Sequence, residues 1–119
     1  MAITLYGIKN CDTVKKARSW LNEHGISHEF HDYKASGIDR AKLEHWCDTL
    51  GWEAVLNRFG TTFRKLPAPE QTALNADKAI ALMLAQPSMI KRPLLDVDGQ
   101  LLLGFKPQSY ESQMKRQRG

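Results

Sequence analysis

The chain has 119 residues, 42% of them hydrophobic and 25% charged, with a formal net charge of +4 and a pI near 9.2. That is one domain's worth of chain, long enough to bury a core without metal or disulfides, and its two cysteines do not make a disulfide scaffold. The first apolar run is only Ala2 to Tyr6, with no basic region before it, so no export signal or membrane span is read and the reducing cytoplasm is expected.

The cations are scattered except in Lys115-Arg116-Gln117-Arg118, which is read as a frayed, solvated end and not as a nucleic-acid arm. At the start of the chain, Ile3-Thr4-Leu5-Tyr6-Gly7 predicts a strand. A short polar loop then carries Cys11. Asp12 or Thr13 is placed to cap a helix from Asp12 to about His24, whose positions Val14, Ala17 and Leu21 share one face and which Gly25 ends. Cys11 therefore stands at a strand-to-helix turn, where free N–H groups and the positive end of the helix dipole favour a thiolate. Lys9 and Lys15 add positive charge there and Asp12 opposes it. The local sequence leaves two readings open: a reactive thiol, or a small residue filling a turn.

His28 to Tyr33 predicts a second strand, parallel to the first through a right-handed crossover. Ser36-Gly37-Ile38-Asp39 breaks the pattern, and Asp39 caps a helix with the stripe Leu43, Trp46, Cys47 and Leu50, ended by Gly51. Cys47 thus falls on a core face and is expected to be inert. A helical turn over Trp52–Leu56, a loop over Asn57–Lys65 and the punctuation of Pro67 and Pro69 follow. A helix with Ala76, Ala79, Ile80, Met83 and Leu84 on one stripe then runs to Pro87. With no strand signal over it, the segment from about 39 to 90 is a helical insertion.

Leu94-Leu95-Asp96-Val97, Asp98-Gly99 and Gln100-Leu101-Leu102-Leu103 spell a hairpin, because Asp-Gly supplies the positive φ angles of a type I′ turn. Lys91 and Arg92 precede Pro93 in a strand-like segment, so their side chains should point opposite ways. Gly104-Phe105-Lys106-Pro107 leads into a polar helix from about Gln108. A βαβ unit followed by a ββα unit, with a cysteine at the first strand-to-helix turn and a proline before the third strand, is a thioredoxin-like α/β layout. It gives a four-stranded mixed sheet with an inserted helical subdomain, one domain over residues 1–119. The histidines at 24, 28, 31 and 45 share no metal-ligand spacing with either cysteine and are read as solvated. Arg64-Lys65 is left between a cleft-facing and a solvated role.

The segments Tyr6–Ala17, Gly60-Thr61-Thr62-Phe63-Arg64-Lys65-Leu66 and Ile90-Lys91-Arg92-Pro93-Leu94, with Gly99 and Gly104-Phe105 behind them, resemble the arsenate-reductase-like ArsC/Spx family, most of all its YffB subgroup. The resemblance implies a nucleophilic Cys11, an anion- or thiolate-stabilising Arg92, and a cis Pro93 whose backbone meets substrate or glutathione. Asn10 and the helix N–H groups would complete a polar cradle. It also implies glutathione or glutaredoxin as the external thiol; a small-molecule or disulfide substrate, no tightly bound cofactor, no metal and a monomer are expected beside it. Where some relatives carry Cys-x-x-Cys, the second position is Val14, so no disulfide switch exists within this motif. Of the three arginines that arsenate reducers use, one is represented by Arg58, a residue early with Phe59 at the usual place, and another by Lys106. A lysine cannot grip an oxyanion with two parallel hydrogen bonds, which counts against arsenate as the natural substrate. The expected activity is that of a thiol-dependent reductase with a single nucleophilic cysteine. Arsenate reduction and a non-enzymatic, Spx-like interaction module are the alternatives.

Overall fold

The computed structural model describes residues 2–118, with side chains through Arg116. In chain order the elements are β1 (Ile3–Gly7), α1 (Asp12–Glu23), β2 (Glu29–Asp32), α2 (Tyr33–Ser36), α3 (Arg40–Leu50), α4 (Trp52–Val55), α5 (Thr61–Arg64), α6 (Ala68–Gln71), α7 (Ala76–Ala85), a 3-10 turn (Pro87–Met89), β3 (Leu94–Val97), β4 (Gln100–Leu103) and α8 (Pro107–Arg118). They form two compact units. The first contains the chain up to Asp32 and again from Arg92 onward; the second is Tyr33–Lys91.

The first unit is built on a four-stranded mixed sheet in the order β2-β1-β3-β4, with β1 parallel to β2 and antiparallel to β3, and β3 antiparallel to β4. This is the thioredoxin-like α/β arrangement expected from the sequence. Strand alternation puts Ile3, Leu5, Leu95 and Val97 on one face. There they bury against Val14, Ala17 and Leu21 of α1 and Tyr110 and Met114 of α8. The Tyr110 ring meets Phe105 and Trp20 edge-on, at 4.9 and 5.6 Å. Its hydroxyl is buried without a hydrogen-bond partner among the described residues, and burial pushes the phenol above its ordinary range.

The β3–β4 hairpin closes as its Asp-Gly pair requires, with Asp98 at φ 50° and Gly99 at φ 91°. The turn is tied to the chain start: Ala2 N–H donates to Asp98 Oδ1 at 2.6 Å, and Asp98 N–H donates to Ala2 O at 2.9 Å. At the other end of the chain, α8 starts at Pro107, one residue before the expected Gln108. The Lys106 carbonyl accepts from the N–H groups of Ser109 and Tyr110, and proline needs no partner in a first turn. The basic tail is not frayed. Its backbone is helical through Arg118, and Lys115 pairs with Glu111 at 3.2 Å, although the side chains of Gln117 and Arg118 lie outside the described residues.

The second unit is helical. Tyr33, Leu43, Trp46, Cys47, Val55, Leu56, Phe63, Ala79, Ile80, Met83, Met89 and Ile90 are all buried. Tyr33 ends β2 one residue before the expected boundary, since its ring belongs to this unit and its hydroxyl donates to the Ile90 carbonyl at 2.9 Å. Three short stretches differ from expectation, one of them α2, a helical turn over Tyr33–Ser36 where none is predicted. The loop expected over Asn57–Lys65 contains the turn α5, which buries Phe63, and the proline-marked segment contains α6, a helix of four residues that begins just after Pro67. Single turns are too short to print a periodicity. Leu50, expected on the buried stripe of α3, is only half-buried.

Cys47 lies on the buried face of α3, and burial, with Asp48 beside it, pushes its thiol up to about 11. A thiol whose folded pKa is raised from 9.0 to about 11 contributes fully below pH 9 and loses that contribution as pH rises through about 11. Cys47→Ala should therefore cost about 1 kcal/mol at pH 7. The wild type's advantage over it in denaturant melts should narrow between pH 9 and 11.

Candidate active site

Gly7, the last residue of β1, is what lets the next helix come close. A Cβ there would stand 2.7 Å from Val14 Cγ2, and the valine is fully buried and stiff. Between them the chain makes a tight turn, with Cys11 N–H donating to Ile8 O at 3.2 Å. Cys11 is itself the N-cap of α1. Its backbone is extended at φ −92° and ψ 126°, and its carbonyl accepts from Lys15 N–H at 2.9 Å. Asp12 and Thr13, expected to cap, instead lie inside the first turn, and the N-cap makes no side-chain hydrogen bond. The helix has 12 residues, ends at Glu23 with His24 as C-cap, and is followed by Gly25 at φ 66°. The Cys11 side chain is half-buried against the sheet core, while Asn10 and Lys9 are exposed.

Strand directions bring further residues to the same end of the sheet. Leu94 pairs with Tyr6 and with Leu103, so the start of β3 lies beside the end of β1, and the end of β4 lies next to it on the far side. Arg92 and Pro93 lead into β3 from this side, joined by a cis peptide bond as the resemblance implies. Pro93 is buried, and its carbonyl accepts from Gly104 N–H at 2.8 Å. Arg92 is half-buried. Lys106 is exposed, at the beginning of α8 on the same side. Asn10, Cys11, Arg92, Pro93 and Lys106 thus share one end of the first unit.

Arg58 belongs to the second unit, where its guanidinium lies over the Trp52 ring at 6.0 Å from the centroid and the neighbouring Phe59 is 82% exposed. Lys91 and Arg92 do not alternate as strand residues, because β3 begins only at Leu94. Arg64 and Lys65 are both exposed. Of the histidines, His24 and His45 are exposed as expected. His28 and His31 are half-buried instead, His28 Nδ1 lying 3.0 Å from Ile26 O and His31 packed against Tyr6 with ring centroids 5.3 Å apart. No cluster of metal-ligating side chains occurs among the described residues, nor is any helix there long and apolar enough to cross a membrane.

One residue of this end went unread in the sequence. Asp32, the last residue of β2, pairs with Gly7, and its Oδ2 accepts from Lys9 N–H at 3.2 Å. An acidic residue at a strand end is too common to signal this.

The model of the ArsC family matches residues 6–113. Among solved structures, the YFFB protein is 59% identical with a TM-score of 0.90, covering 93% of this chain and 97% of that one. An arsenate reductase (ArsC) related protein from Brucella melitensis is 56% identical with a TM-score of 0.77, covering 97% and 96%. A Haemophilus influenzae protein is 41% identical over 110 residues, which is 92% of this chain and 96% of its own.

The two cysteines sit in opposite surroundings, one half-open at a helix N-terminus and one in a core. Iodoacetamide at neutral pH should alkylate Cys11 in the folded protein and reach Cys47 only after denaturant is added, as peptide mass mapping would record. Comparable labelling of both in the native state would contradict this difference.

Proposed function

Because the chain belongs to the ArsC family, with nearly its whole length matched, we propose that it is a thiol-dependent reductase in which Cys11 is the nucleophile. One observation carries the proposal. Cys11 caps a 12-residue helix at the end of the sheet that also holds Arg92 and Pro93. Free N–H groups of the first turn and the helix dipole stabilise negative charge on the sulfur, and Arg92 adds a guanidinium for the developing charge. Asn10 supplies a further polar group. Pro93 itself is buried and its carbonyl accepts from Gly104 N–H, so the backbone offered to an extended substrate is that of Arg92 just before it.

In the proposed reaction the Cys11 thiolate attacks one sulfur of an oxidised disulfide substrate. A bond forms between Cys11 sulfur and that sulfur, the substrate's S–S bond breaks, and the second sulfur leaves as a thiolate that takes up a proton. Position 14 is valine, so the mixed disulfide has no resolving cysteine within the motif. An external thiol, glutathione or a glutaredoxin, attacks it, frees the Cys11 thiolate and carries away the oxidised sulfur. Each turnover consumes one external thiol: the substrate's S–S bond is exchanged for a new S–S bond between that thiol and the sulfur it removes from Cys11. Lys106 at the position of an arginine favours disulfide exchange over arsenate reduction, for which bidentate grips on an oxyanion are needed. The enzyme is proposed to work as a monomer in the reducing cytoplasm, without a bound cofactor.

Reduction of a small glutathione mixed disulfide by excess glutathione tests the reading. Cys11→Ser should abolish turnover and keep the fold. Arg92→Lys keeps charge but loses the planar fork, and should lower turnover about tenfold with little change in melting temperature. Saturable arsenate-dependent turnover exceeding disulfide turnover would favour an arsenate reductase instead. Loss of neither activity in Cys11→Ser would rule out the proposed nucleophile.

A further inference from the structure

We infer that Asp32 is a positioning residue for Cys11: from the end of β2, its carboxylate holds the turn that carries the thiol. The inference rests on the reading of Cys11 as the nucleophile. The turn from Ile8 to Asn10 has little side-chain anchorage of its own, since Lys9 and Asn10 are exposed. Two constraints fix it from outside. The close approach of Gly7 and Val14 sets where the turn leaves β1 and where α1 takes over. Across the sheet, Gly7 pairs with Asp32, and the carboxylate reaches over the end of β1 to accept from Lys9 N–H at 3.2 Å.

That contact joins residues 23 apart in sequence. It ties the turn to a neighbouring strand and not to itself, and a charged acceptor makes it stronger than a neutral one. The held N–H lies two residues before the nucleophile, so releasing it frees the backbone that aims the sulfur at the end of the sheet. Asp32 also brings a negative charge, which by itself would oppose a thiolate. The acceptor and the charge therefore push in opposite directions, and an amide in place of the carboxylate separates them.

The test uses the full chain and dithiodipyridine, an aromatic disulfide whose cleavage by Cys11 is followed by absorbance. Asp32→Val retains strand propensity without an acceptor, and Asp32→Asn retains the acceptor without the charge. Asp32→Val should slow the reaction about tenfold and speed hydrogen exchange at the Lys9 amide, while Asp32→Asn stays within about twofold of wild type in both. A wild-type rate in Asp32→Val, or a rate in Asp32→Asn as slow as in Asp32→Val, would overturn the inference. If Asp32→Val does not fold, Asp32→Ala takes its place. Cys11→Ser separates the two claims: if it keeps the fast phase, the nucleophile reading falls, and the Lys9 amide alone decides whether Asp32 holds the turn.

Discussion

The approach of α1 to the end of β1 governs the geometry around Cys11. Val14 Cγ2 lies where it would be only 2.7 Å from a side-chain carbon at position 7, so the approach is open to glycine and closed to every other residue without movement. Both partners are locked. Gly7 is paired in the sheet with Asp32, and Val14 is fully buried in the core beneath it. Because β1 has a strand on each side, parallel β2 and antiparallel β3, its end cannot shift without breaking two ladders. The turn in between inherits that rigidity, and Cys11 closes it as the helix cap.

The surroundings of Cys11 differ from those of Cys47, and the two are not bonded to each other. At the helix cap Cys11 is half-buried, at the N-terminus of α1. In α3 the sulfur is buried beside the Asp48 carboxylate, and both influences keep it a neutral thiol. The same residue type stands once at a half-buried helix start and once in a core. The mixed sheet explains how a small chain assembles the rest of the site. With β1 and β2 running one way and β3 the other, the turn after β1, the segment before β3 and the residues after β4 all emerge at one end.

Much of this was legible in the sequence because the relevant signals are local. The Asp98-Gly99 turn and its flanking strands were read to the residue, since a two-residue turn leaves no freedom in register. The buried face of α1 followed from the spacing of Val14, Ala17 and Leu21. What was missed depends on tertiary context. Short α5 and α6 have no period to read and are held by burial of Phe63 and by Gln71, whose Nε2 donates to Leu66 O at 2.7 Å. Asp12 has the composition of a cap, yet the chain turns one residue sooner and makes Cys11 the cap. Lys91 and Arg92 read as strand because they precede one, whereas the ladder begins at Leu94. The contact between Asp32 and Lys9 spans 23 residues and leaves no local mark.

The central claim is that one thiol, Cys11, carries the redox chemistry with no partner inside the chain. The most direct measurement is the mass of the folded protein after incubation with oxidised glutathione, followed by peptide mapping. The account predicts a single glutathione adduct, on Cys11, removed by added reduced glutathione, with Cys47 unmodified. An adduct on Cys47, or an internal disulfide between Cys11 and Cys47, would contradict it.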